Sequence, residues 1–122
     1  MSDFMFENLE VYQKSVNFAD EVSDIIEKLE RGYYHIRDQF GRASLSISLN
    51  IAEGNGKWHI ADRKKYFLTA RGSAFECVPL LEICKRRKII TEEQHDSLKQ
   101  KIKSISMMLS KLISGTDNRE SD

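Results

Sequence analysis

Apolar residues return every three or four positions through four long stretches of this chain, and almost nothing interrupts them. One proline and six glycines in 122 residues leave room for few turns, whereas strand-rich domains need many. The length suits one domain with a single core. The expected fold is therefore all-α, an antiparallel up-down-up-down four-helix bundle formed by residues 1–122. Its ordered core spans about residues 6–114, and a polar tail covers 116–122.

The first helix is expected over about residues 7–30, with Leu9, Tyr12, Val16, Ala19, Val22, Ile26 and Leu29 as its apolar stripe and Gly32 as its stop. The second spans about 36–53, built on Phe40, Ala43, Ile47 and Ile51 and halted by Gly54-Asn55-Gly56. The third runs over about 61–87, with Asp62 near its start. Its stripe is Tyr66 or Phe67, then Ala70, Ala74, Cys77, Leu81 and Cys84. That period continues through Pro79, so one kinked helix is expected there and not two. The fourth begins at a capping box, Thr91-Glu92-Glu93-Gln94, and carries His95, Leu98, Ile102, Ile105, Leu109 and Leu112 as far as about residue 114, where Gly115 ends it. Connections of this length make neighbouring helices antiparallel.

The net charge is zero but unevenly spread. Residues 1–30 hold eight acids against two bases, residues 31–90 twelve bases against five acids, and the remainder six acids against five bases. A neutral total argues against a generic polyanion binder and leaves room for a local basic patch. Met1-Ser2-Asp3-Phe4 has no basic leader followed by an apolar run, and no stretch is apolar enough to span a membrane. Cys77 and Cys84 lie about 10 Å apart along one helix, beyond disulfide reach. Free thiols without an export signal point to the cytoplasm.

Catalytic and metal chemistry find no footing. His35, His59 and His95 fall on different elements, and Gly54-Asn55-Gly56-Lys57 lacks phosphate-loop spacing. No nucleophile, base and orienting group can be assembled. No enzyme activity, cofactor, metal or small-molecule substrate is expected.

More informative is a polar stripe on the second helix, Arg42, Ser46, Asn50 and Glu53, beside the apolar one. The third helix carries a comparable set, Gly72-Ser73 and Glu76. A symmetric hairpin through residues 54–60 would set Arg42 against Ser73 and Gln39 against Glu76, with an Arg42–Glu76 bridge and Gly72 admitting a close backbone approach. Such a network either fixes helix register or presents a polar surface to a partner.

Two basic clusters are candidates for nucleic-acid contact. Lys57, Trp58, Arg63, Lys64 and Lys65, with His59, surround the connection between helices two and three; Lys85, Arg86, Arg87 and Lys88 close helix three. Lysine and arginine meet phosphates and an indole stacks on bases. The same residues can equally complement a helix dipole or coat a solvated face.

Phe6-x-x-Leu9-x-Val11-Tyr12, then Gln39-x-x-Arg42-Ala43-x-x-Ser46-Ile47-x-x-Asn50-Ile51-Ala52-Glu53-Gly54, then Gly72-Ser73-x-x-Glu76 resembles the four-helix-bundle family encoded by intervening sequences of bacterial 23S ribosomal RNA genes. The likeness spans about residues 4–114. Accessory proteins of diversity-generating retroelements are related bundles. The resemblance implies a homo-oligomer, a pentamer in the related proteins, that binds RNA or nucleic-acid–protein complexes without catalysis. The functional expectation is thus a nucleic-acid or ribonucleoprotein accessory. The alternative is a protein–protein adaptor that pairs its acidic first helix with a basic third helix.

Overall fold

The computed structural model describes the backbone of residues 3–121 and the side chains of residues 3–116. Four α-helices carry the fold: α1 (Glu10–Glu27), α2 (Tyr34–Asn55), α3 (Ile60–Arg86) and α4 (Glu92–Ser121). Short 3-10 turns at Met5–Asn8 and Arg31–Tyr33 precede α1 and α2, and no strand occurs among the described residues. Around the bundle α1 meets α2, α2 meets α3, α3 meets α4 and α4 returns to α1, whereas α1 does not reach α3.

The expected stripes of α2, α3 and α4 face one core. Phe40, Ile47, Ile51, Ala70, Ala74, Cys77, Leu81, Cys84, Ile102, Ile105 and Leu109 are all buried there. Full burial of each large aliphatic or aromatic side chain contributes about 1.5–3 kcal/mol. The expected face of α1 is wrong in part. Val16 is exposed, and the buried residues are Val11, Ser15, Phe18, Ala19 and Val22. Ser15 hides the true stripe because it sits in the core, where its hydroxyl donates to the Val11 carbonyl at 2.7 Å.

Glycine marks one of the three expected helix ends: α2 stops at Asn55 with Gly56 as its cap, whereas α1 and α4 do not end at Gly32 and Gly115. A glycine stops a helix when it takes a left-handed conformation, and no described glycine does. Accordingly α1 ends before Gly32, with the Arg37 guanidinium donating to the carbonyls of Ile26 (3.2 Å) and Leu29 (2.6 Å). Helix α4 runs through Gly115 instead of ending there, and buried Thr116 donates to the Leu112 carbonyl at 2.9 Å. Residue 116, expected in a polar tail, thus belongs to the bundle; the side chains of 117–122 lie outside the described residues. Helix α3 passes through Pro79 as one helix. Lys88, at φ 60, takes the left-handed position after it, and the Ile89 amide donates to the Cys84 carbonyl at 2.9 Å. The fourth helix opens on the expected capping box: the Thr91 amide donates to Gln94 Oε1 at 2.8 Å, and the Gln94 amide to Thr91 Oγ1 at 3.0 Å.

Helices α2 and α3 pair about one turn away from the expected register. Ser73 meets Ser46, donating to its hydroxyl at 2.8 Å, and does not meet Arg42. At the other end Gly54 lies against Tyr66 and Phe67. Gly54 is next to the last residue of α2, yet it faces the second turn of α3. The connecting chain therefore continues along the axis of α2 before α3 turns back, which a symmetric hairpin does not allow for. The order of these contacts, 46 with 73 and 54 with 67, is that of antiparallel neighbours. The close approach belongs to Gly54, where a Cβ would lie 2.9 Å from both Tyr66 Cβ and Phe67 Cε1. Gly72, expected in that role, is exposed, and a Cβ there would meet nothing within 4 Å.

Candidate nucleic-acid interface

The connection between α2 and α3 is braced from both sides. The Gly56 amide donates to the Ala52 carbonyl at 3.1 Å, closing α2. Arg63, one turn into α3, folds back and donates from Nε to the Lys57 carbonyl at 2.7 Å. Lys57 is held by Glu53 at 3.7 Å and lies 5.2 Å from the centre of the Tyr66 ring. Between these anchors Trp58 stands 88% exposed, with exposed His59 next to it and exposed Lys65 on the following helix. Lys64 is half-buried beside them. An indole left in water is the most apolar feature of a loop whose other side chains are cationic or titratable.

The second cluster is different in kind. Lys85 and Arg86 both meet Glu82, at 3.6 Å and 2.9 Å. The hydrogen bond from Arg86 holds the Glu82 carboxyl below its ordinary range; burial opposes it, and the positive charges of Lys85, Arg86 and His95 add to the lowering. Arg87 and Lys88 remain exposed. The two clusters occupy opposite ends of α3, about 35 Å apart at 1.5 Å per residue, so one chain does not merge them.

The polar stripe resolves into separate pieces. Ser46, Asn50 and Ser73 are joined: the Asn50 amide donates to the Ser46 carbonyl (2.8 Å) and hydroxyl (2.9 Å), and Ser73 donates to the same hydroxyl. Arg42 forms no bridge to Glu76. Its Nε binds Asp38 at 3.1 Å, one turn back on its own helix. Glu53 turns to Lys57, and Gln39 and Glu76 point to solvent. Buried Cys77 and Cys84 serve packing, and burial pushes their thiols up to about 12 and about 11 respectively, the nearby Glu76 charge adding to the effect at Cys77.

Residues 7–111 match the 23S rRNA-intervening sequence protein family. The chain belongs to that family. A solved structure from Bacteroides thetaiotaomicron, described as a protein of unknown function from the S23 ribosomal protein family, shares 28% identity with it. The two superpose with a TM-score of 0.79 over 84% of this chain and 97% of that one. No curated protein matches. On this member of the intervening-sequence family, the segment Ser46-Ile47-x-x-Asn50-Ile51-Ala52-Glu53-Gly54 divides by face. Ile47 and Ile51 enter the core, Ser46 and Asn50 lock α2 to α3, and Gly54 admits α3.

Sequence reasoning missed two surface features. Leu45 and Leu49 stand exposed, one turn apart, on the outer face of α2. Phe75 and Met107 stand exposed along the seam of α3 and α4. The four-residue spacing of the two leucines on the face opposite Ile47 and Ile51 was the available signal. Nothing in the period marks Phe75 or Met107.

Proposed function

We infer that this intervening-sequence family member is a non-catalytic, homo-oligomeric cytoplasmic accessory of nucleic acid or ribonucleoprotein, with the α2–α3 connection as its contact. Trp58 carries the reading: an indole 88% exposed on a braced loop among Lys57, His59, Arg63 and Lys65. Side chains of this kind grip single strands by stacking a base on the ring and placing cations on the phosphates. The family description and the ribosomal-protein name of the Bacteroides structure support it. Arg87 and Lys88 form a second, weaker contact, since Lys85 and Arg86 are engaged with Glu82.

Assembly supplies what one neutral chain lacks. Helix α1 packs against α2 and α4 and not against α3; its Glu21 and Asp24 line a pocket with Arg87 and Lys88, so the acids of α1 offset the second basic cluster and not the Trp58 loop. Repeating the Trp58 loop around an oligomer multiplies a modest patch, and Leu45 and Leu49 give α2 apolar surface for self-association. The same two leucines favour the second reading, a protein–protein adaptor with no nucleic-acid contact.

Trp58 is the chain's only tryptophan, so its intrinsic fluorescence reports on this loop directly. Titrating the assembled protein with single-stranded RNA at about 50 mM salt should quench it, and Trp58→Ala should weaken binding by about 1–3 kcal/mol while leaving the fold intact. Unchanged fluorescence and no retained RNA or DNA would leave the adaptor reading in its place.

A further inference from the structure

Along the seam of α3 and α4 runs an open groove of about 740 Å³, lined by Arg71, Phe75 and Val78 on one side and by Lys99, Lys103 and Met107 on the other. Its register is set by Glu82 and His95, 3.8 Å apart. Counted back from that pair, Arg71 and Ser106 lie level with each other across the seam. These two residues hold buried polar atoms without a hydrogen-bond partner among the described residues, Arg71 Nε and Ser106 Oγ. The serine is 8% exposed. Ser15, Ser44, Ser48 and Thr116, the other buried hydroxyls, each donate to a carbonyl of their own helix. Ser106 does not. Among the described residues the guanidinium of Arg71 meets no carboxylate, and it lies over the Phe75 ring at 4.9 Å.

Leaving a buried donor of a permanently charged group unpaired is costly, and so is an unpaired buried hydroxyl. Two such groups lining one groove call for an acceptor there. A carboxylate fits best, since it pairs with a guanidinium in forked geometry and still accepts from a hydroxyl. Around that point the groove is apolar, with Phe75 50% and Met107 57% exposed, and Lys99 and Lys103 outweigh Asp96 on its rim. From Asp96 to Ser110 it extends about 21 Å, the length of a four-turn helix. A long, open seam between two helices is the shape that receives a third.

We propose that the α3–α4 groove docks an acidic amphipathic helix of another protein, with one carboxylate on Arg71 and Ser106 and apolar side chains over Phe75 and Met107. A second copy of this chain is a poor occupant. Its α2 offers Leu45 and Leu49, but the acids on that face, Asp38 and Glu53, are already paired with Arg42 and Lys57. The acids of its α1 are accompanied by exposed Gln13, Asn17 and Ser23, with Val16 as the apolar residue among them, too little to cover an aromatic ring and a methionine. The site is separate from the Trp58 loop, so the fate of one reading does not decide the other.

The test uses two helix-stapled fluorescent peptides of about four turns, each with leucines on one face and either glutamate or glutamine at its centre. The whole protein should bind the glutamate peptide about tenfold more tightly than the glutamine peptide. Arg71→Met should abolish that preference, keep the weaker affinity for the glutamine peptide and melt no lower than the parent, because it removes an unsatisfied donor. Arg71→Lys should fall between. Equal affinity of the parent for both peptides, binding of neither, or a changed oligomeric state in Arg71→Met would each overturn the proposal, the last by making a second copy the occupant.

Discussion

At the scale of single residues, two glycines on one helix pair have opposite meanings. Gly54 is buried where a Cβ would strike Tyr66 and Phe67, so Gly54→Ala should destabilise the fold by about 1–3 kcal/mol through overpacking. Gly72 is helical, exposed and unobstructed, and Gly72→Ala should stabilise it by about 0.5–1 kcal/mol. Chemical denaturation of both variants checks the pair, and a loss of stability in both would place Gly72 in an uncharted contact. Neither role was legible in advance. Glycine type says that a Cβ is missing, whereas which helix face meets a neighbour depends on the register. The thiols are simpler: Cys77 and Cys84 share the core face by spacing alone, and the structure buries both completely. With their thiols raised to about 12 and about 11, alkylation at pH 8 should proceed only as fast as the bundle opens. Rapid labelling of native protein would contradict that packing.

At the scale of the element, what was readable is what is local. The capping box of α4 needed only Thr91 and Gln94, and its two hydrogen bonds are present; Thr91→Ala should cost about 1 kcal/mol, measured by thermal or urea unfolding. The stripes of α2, α3 and α4 were readable because a 3.6-residue period survives in their side chains. The face of α1 was not, because Ser15 breaks its apolar run from within the core. The α2–α3 register depends on how far the connecting chain climbs before turning, which no residue type encodes. This one-turn difference gives Ser73 to Ser46 and not to Arg42, which pairs with Asp38 on its own helix. Near the end of α3, Glu82 gathers Lys85, Arg86 and His95. Its carboxyl is held below its ordinary value, so its contribution is complete above the unfolded carboxylate's range and fades as pH falls through the folded value. Glu82→Gln should therefore lower stability at neutral pH, and the gap to the parent should close in acid. A gap that widens in acid would reverse the assignment.

At the scale of the whole molecule, the bundle spreads its opposite charges unevenly. Among the described residues Glu21 of α1 pairs with Lys101 on α4, and Glu21 and Asp24 line one pocket with Arg87 and Lys88. A zero net charge therefore hides a basic end with an exposed indole, away from that pocket. Composition gave the segregation, but the exposure of Trp58 and the bracing of its loop by Arg63 needed the fold. The central claim is that this end meets nucleic-acid phosphates. The most direct measurement is the salt dependence of RNA affinity for the assembled protein, compared with Lys65→Gln. Affinity should fall steeply as salt rises, and the variant should lose about one unit of the log–log slope with little change in stability. A shallow slope shared by both proteins would contradict the claim.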